Sequence, residues 1–213
     1  MRKLFTSLDR FPTFFSKDFL TGNLLQLPRL KKFVFSGLFY FIGNAGFSQD
    51  IAGWNFFGKP QDATLEATAF DPNLVSPINL TRGAGAASST GANSFRTTGF
   101  SNDGISVTNA DYFQTTLAAK TGYEVSLSTI DAIFAGTATY YATPGVTSQF
   151  AYSLDGNTFT LIGNPATTTS LILPQIDLRG IAALQNVSSD VTITIRYYAS
   201  GQTTTGGWGF TSS

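Results

Sequence analysis

The side chains that could do chemistry in this sequence are carboxylates, because its 213 residues include neither Cys nor His. That absence removes thiol nucleophiles, imidazole bases and Cys- or His-based zinc sites. Two carboxylates about 5–10 Å apart across a cleft would suffice for a glycosidase, and Asp111, Glu124 and Asp131 are the candidates. Asp111 and Glu124 also fit the start of a strand. We therefore expect no enzyme and keep a paired-carboxylate glycosidase as the least favoured alternative.

A second group of residues could bind a ligand without catalysis. Sugars stack their apolar faces on aromatic rings, and their hydroxyls pair with Asn, Gln, Asp and Arg. Side chains of these types are predicted on two outer strand faces and in one loop: Tyr112, Gln114, Arg196 and Tyr198 on the strands, Tyr140 and Tyr141 in the loop. Tyrosine on an outer face also favours strand structure by itself. Carbohydrate binding is thus the main alternative to a purely structural or adhesive role.

Calcium is the one cofactor for which the sequence offers ligands. Calcium binds carboxylate and amide oxygens, which Asp71, Asn73, Asp103 and Asp155 could supply. Their spacing lacks the dense alternation of acids found in calcium-binding loops. We expect no cofactor, with a structural calcium ion at these residues as the open alternative.

Two segments with a period of two must position the ligand-binding candidates. In Tyr112–Leu117 and in Val191–Tyr198, apolar residues alternate with polar ones. This pattern is typical of strands with one face in a core and the other towards solvent. Arg196 and Tyr198 would then share one outer face.

Other short strands are separated by Gly, Pro, Asn and Asp. They are predicted at Ile51–Phe57, Ile78–Thr81, Ser94–Thr98, Ser170–Asp177 and Gly207–Thr211. Asp155-Gly156 predicts the turn of a hairpin. A slip in the apolar alternation of residues 125–134 predicts a β-bulge near Ser128. The only helical turn is predicted at Ile181–Asn186. Many short strands without a long amphipathic helix indicate an all-β sandwich or barrel, with residues 49–213 as one domain.

The charge distribution separates the N-terminal segment from this domain. Residues 1–32 carry a net charge of +5, whereas residues 49–213 carry −5, so the whole chain is neutral. The acidic domain argues against nucleic acid as a partner, since phosphate binding needs a basic face.

Residues 29–48 have the pattern of a secretory signal peptide. Arg29, Lys31 and Lys32 precede the apolar run 33–42, and Gly46 and Ser48 supply the small residues of a cleavage site before Gln49. The run is about half the roughly 20 residues that span a bilayer. We therefore expect export through the inner membrane, a secreted or cell-surface location and no membrane span after cleavage. Residues 1–28 are interpreted as an over-extended start or a disordered segment.

Several short sequence segments of the domain, taken in order, resemble segments of a known family. They are Trp54–Phe56, Asp71–Leu74, Leu80–Gly85, Asp111–Phe113, Gly122–Leu127, Tyr152–Gly156 and the residues 176–197. The set is similar to the jelly-roll modules of exported Bacteroidota proteins, many of which carry a type IX secretion sorting domain. The resemblance covers nearly all of residues 51–211.

This resemblance implies a two-sheet antiparallel β-sandwich of jelly-roll type, mostly of unassigned function. It also implies a non-catalytic part of a larger exported protein, whose partners are its other domains and a polysaccharide or cell-surface component. Related modules continue beyond the strand that ends near Phe210. We therefore expect a C-terminally truncated sandwich.

Overall fold

The structure is a computed structural model that describes residues 2–3, 49–60, 64–89, 91–100, 102–136, 144–201 and 207–212. The predicted signal peptide 29–48, almost all of residues 1–28, and the loop residues Tyr140 and Tyr141 lie outside these ranges. The regular structure described is strand throughout, apart from one 3₁₀ turn at Ala182–Leu184. The described part of the chain is therefore all-β, as its periodicity predicts. None of the described residues belongs to a helix that could cross a membrane.

The strands are numbered in chain order. They are β1 (Arg2–Lys3), β2 (Gln49–Asp50), β3 (Ala52–Gly53), β4 (Leu65–Glu66), β5 (Ala69–Phe70), β6 (Asn79–Arg82), β7 (Ser94–Thr97), β8 (Tyr112–Ala118), β9 (Glu124–Val125), β10 (Thr129–Ile130), β11 (Phe134–Gly136), β12 (Val146–Ser153), β13 (Thr160–Leu161), β14 (Ala166–Thr168), β15 (Ile176–Asp177), β16 (Val187–Ser188), β17 (Thr192–Ser200) and β18 (Trp208–Thr211).

The largest sheet has seven strands in the order β13-β12-β17-β8-β6-β4, and β14 also pairs with β12. All of its pairings are antiparallel. Its long central strands β8, β12 and β17 are rich in β-branched and aromatic residues, which pack well on a pleated surface. Alternate residues such as Phe113, Leu117 and Ile195 are buried on the inner face.

A three-stranded sheet, β11-β18-β7, covers that inner face. Phe210 of β18 lies 5.6 Å from the ring of Phe113 and 4.8 Å from that of Tyr197, both on the large sheet. Trp208 donates a 2.7 Å hydrogen bond from Nε1 to the buried Tyr197 hydroxyl. The inner faces of the two sheets therefore share one aromatic core, which is the packing of a sandwich.

The region around Ser128 differs from the prediction of one strand with a bulge. The residues 124–136 form three short strands, and each pairs in a different sheet: β9 with β16, β10 with β15, and β11 with β18. The slip in the alternation marks the places where the chain leaves one sheet for another. The β12–β13 hairpin and the helical turn near residues 182–184 agree with the prediction.

Candidate functional site

The structure brings four of the predicted binding residues together on the outer face of the large sheet. Gln114 of β8 is paired with Arg196 of β17, and Tyr112 is paired with Tyr198 one step along the same strands. The Tyr112 and Tyr198 rings lie 5.9 Å apart. These four side chains, together with Phe159, are named the Arg196 patch below.

The guanidinium of Arg196 is held between two aromatic rings. Its Cζ lies 3.8 Å from the centroid of Tyr112 and 3.7 Å from that of Phe159. Both distances are well within the range for cation–π attraction. The two rings fix the plane of the guanidinium, so its N–H groups have a defined direction.

Gln114 fixes the edge of the same guanidinium. Arg196 Nε donates a 2.7 Å hydrogen bond to Gln114 Oε1. Arginine has no acceptor atom, so the amide must turn its oxygen towards Arg196 and its NH₂ group away. Gln114 therefore presents two N–H donors beside Arg196.

Tyr198 supports the patch from below and is fully buried. Arg196 Nη1 donates to its hydroxyl at 3.4 Å, and that hydroxyl donates to the Val107 carbonyl at 3.2 Å. Burial raises the pKa of Tyr198 above its ordinary value, and the negative charge of Asp111 adds to that rise. The hydrogen bond with Arg196 and the positive charge of Arg196 lower the pKa and so oppose the rise. Tyr198 stays neutral at ordinary pH and is covered by protein.

On the side towards β6, the outer face next to the patch is polar and uncharged. Thr116 continues the outer face of β8 and is exposed, and Thr81 of β6 is paired with Gln114. Thr81 Oγ1 donates to the Gln114 carbonyl at 3.1 Å. The hydroxyl and amide groups of Thr81, Gln114 and Thr116 thus form a polar surface next to Arg196, which is called the floor below.

Two loops pack over one side of this floor, and neither contact is predictable from the local sequence pattern. Phe159, at the end of the β12–β13 hairpin loop, covers one side of Arg196. The segment before β8 contributes Val107, and its Gly104 N–H donates to Ser200 Oγ at 3.0 Å. The one available signal was Phe159 itself, an aromatic residue close to a predicted turn.

The four calcium candidates each make hydrogen bonds within their own loops. Asp155 accepts from Ser153 Oγ and from the Asn157 and Thr158 amides. Asp71 accepts from the Asn73 amide at 2.8 Å. Asp103 accepts from Asn109 Nδ2 at 3.4 Å.

No three acidic side chains cluster as a metal site in the part of the chain that the structure describes. The calcium option stays a prediction.

Two of the carboxylates considered for catalysis, Asp111 and Glu124, are separated by the length of a strand. Asp111 directly precedes β8, whereas Glu124 lies beyond its other end and pairs with Ser188, shortly before β17 begins. A strand of seven residues is about 20 Å long. Asp111 and Glu124 are therefore too far apart to act as a glycosidase pair. Asp131 accepts a hydrogen bond from Gln175 Nε2 at 2.7 Å.

Comparison of the chain with family models, with curated protein sequences and with solved structures finds no match.

Proposed function

We propose that this chain is a non-catalytic β-sandwich module of a secreted or cell-surface protein, and that it binds a ligand on the outer face of its seven-stranded sheet. The Arg196 patch is the observation that carries the proposal. Two rings, an amide and a buried hydroxyl hold one cation in a defined plane at the surface. Adhesion through this surface is the role that we assign to the module.

Carbohydrate is the ligand class that we favour. The floor beside Arg196 offers the amide of Gln114 and the hydroxyls of Thr81 and Thr116 on neighbouring strands. Groups of this kind pair with sugar hydroxyls. The rings of Tyr112 and Phe159 pack on Arg196 and Tyr198 is buried, so polar contacts would supply more of the affinity than stacking does.

Jelly-roll topology is part of the proposal, and the order of strands supports it. The chain passes between the large and the small sheet at the connections β6–β7, β7–β8, β8 to β11, β11–β12 and β17–β18. Repeated crossing between two sheets is how jelly rolls are connected.

Export is proposed from the signal pattern at residues 29–48. We expect N-terminal sequencing of the exported protein to begin at Gln49, and a mature protein that retains residue 29 would contradict this.

The binding surface is tested by retention of the full chain on a panel of soluble and insoluble polysaccharides, with and without calcium. We expect retention by at least one of them. Thr116→Trp should abolish it, because a bulky side chain in the middle of the exposed floor blocks access while a strand tolerates Trp.

Thr160→Trp is the matched control for this experiment. Thr160 is also an exposed strand residue, but it pairs with Tyr152, which packs against the core on the opposite face. Retention should survive this change. If both variants bind as the unchanged protein does, or if no polysaccharide retains a folded chain, the proposal is wrong.

A further inference from the structure

The Arg196 patch contains more hydrogen-bond donors than acceptors. Arginine has five N–H groups, and Arg196 uses one for Gln114 and one for Tyr198, which leaves three. Gln114 adds the two N–H groups of its amide. None of these five is hydrogen-bonded to a described residue.

Arg196 also has no counter-ion in the described part of the chain. No carboxylate there forms an ion pair with it, in contrast to Arg179, which lies 2.6 Å from Asp177. Asp111 is near enough to Tyr198 to affect its pKa, but it is 95% buried and has partners of its own. The positive charge of Arg196 is therefore uncompensated by an ion pair within these residues.

Such a group is suited to a ligand that supplies only acceptors and a negative charge. A guanidinium with a fixed plane matches a carboxylate in a two-point contact, and such pairs are shorter and stronger than neutral hydrogen bonds. The neighbouring amide and hydroxyl groups match the hydroxyls of a sugar ring.

We infer that the ligand is an acidic polysaccharide, and that the Nη groups of Arg196 bind the carboxylate of one of its uronic acid residues. This inference rests on the proposed function and names the class of carbohydrate. Gln114 Nε2 would contact the same carboxylate or an adjacent hydroxyl. Tyr112, Phe159 and Tyr198 act as positioning residues, because they hold the guanidinium.

The test compares uronate polymers with matched uncharged forms. Affinity electrophoresis of the full chain compares polygalacturonate and alginate with their esterified forms. Dextran sulfate is included as a polysaccharide whose negative charge comes from sulfate instead of carboxylate. We expect at least one uronate polymer to bind at least tenfold more tightly than its ester and than dextran sulfate. The affinity should fall as salt is raised, since charge contributes to it.

Two variants of the patch make the test specific. Arg196→Gln should weaken uronate binding at least tenfold. Gln114→Glu keeps the hydrogen bond to Nε and places a carboxylate beside Arg196, so it should also weaken binding at least tenfold without loss of thermal stability. Arg179→Gln, which removes one exposed charge elsewhere, is the control and should bind like the unchanged protein.

The outcomes separate this inference from the proposed function. Equal binding of polymer and ester, tighter binding of dextran sulfate, or unchanged binding by the folded Gln114→Glu variant overturns the uronate assignment and leaves a carbohydrate-binding face. No binding to any polysaccharide, charged or neutral, overturns both.

Discussion

Thr115 is a polar residue in an otherwise apolar part of the core. It lies on the inner face of β8, between Leu80 and Ile195 on the neighbouring strands, and it borders a small cavity that these two residues also line. Its Oγ1 is buried and makes no hydrogen bond within the part of the chain that the structure describes. A buried hydroxyl without a partner costs about 1–3 kcal/mol.

Thr115→Val should therefore raise the free energy of unfolding, by about 1 kcal/mol, because it replaces the hydroxyl with a methyl group of similar size. Urea denaturation of the full chain measures the change. Thr116→Val, the exposed neighbour on the outer face, should change stability by less than about 0.5 kcal/mol. A loss of stability in the Thr115 variant would show that its hydroxyl is satisfied.

Tyr197 contributes to the pH dependence of stability in the alkaline range. Its buried hydroxyl accepts from Trp208 Nε1 and is 2.7 Å from Ser148 Oγ. Burial raises its pKa well above the ordinary value, and the hydrogen bonds with Ser148 and Trp208 oppose this only in part. The folded protein therefore keeps Tyr197 neutral at a pH where the unfolded chain ionises it.

The stabilising contribution of Tyr197 is complete below the unfolded pKa of about 10 and is lost as pH rises above it. We expect the free energy of unfolding to decrease from about pH 10 upwards, and less steeply in Tyr197→Phe. Tyr123→Phe, a change at an exposed ring, is the control and should keep the original slope. Equal slopes in all three proteins would contradict the assignment.

At the scale of elements, the hairpin loop between β12 and β13 connects a turn to the Arg196 patch. The Asp155 carboxylate accepts hydrogen bonds from the Asn157 and Thr158 amides and from Ser153 Oγ. These bonds lower its pKa far below the ordinary value. Phe159, which covers Arg196, follows directly, so order in the loop positions one side of the patch.

Asp155→Ala should remove the protection from hydrogen exchange of the Asn157 and Thr158 amides, because both lose their acceptor. Since the pKa of Asp155 is lowered, the unchanged protein should keep this protection at pH 4, where an ordinary aspartate is about half protonated. Exchange measured by NMR at pH 4 and pH 6 checks both points. Persistent protection in the variant would show that the turn does not depend on the carboxylate.

The alternation of residues was enough to predict β8 and its faces, but not what covers them. Phe113 and Leu117 are inside and Gln114 is on the outer face, as a period of two predicts. Tyr198 was predicted on an outer face and is nevertheless buried, because the segment containing Val107 packs over it. Such contacts join residues 91 positions apart, and no local pattern encodes them.

At the scale of the whole molecule, the number and spacing of short strands were enough to predict an all-β fold. The pairing of the short strands was not predictable in detail, since β9, β10 and β11 each pair with a strand far along the chain. For β11, long-range packing accompanies the pairing, since the ring of Phe134 lies 5.6 Å from Tyr197 and 5.9 Å from Phe210 in the aromatic core.

The central claim is that the outer face around Arg196 is the binding surface, and hydroxyl-radical footprinting with polygalacturonate tests it most directly. The rings of Tyr112 and Phe159 are partly exposed in the patch, whereas Phe57 and Tyr123 are 77% and 49% exposed elsewhere. We predict that bound polymer slows the oxidation of Tyr112 and Phe159 and leaves Phe57 and Tyr123 unchanged. Protection of Phe57 or Tyr123 instead, with the patch oxidised as in the free protein, would contradict the claim.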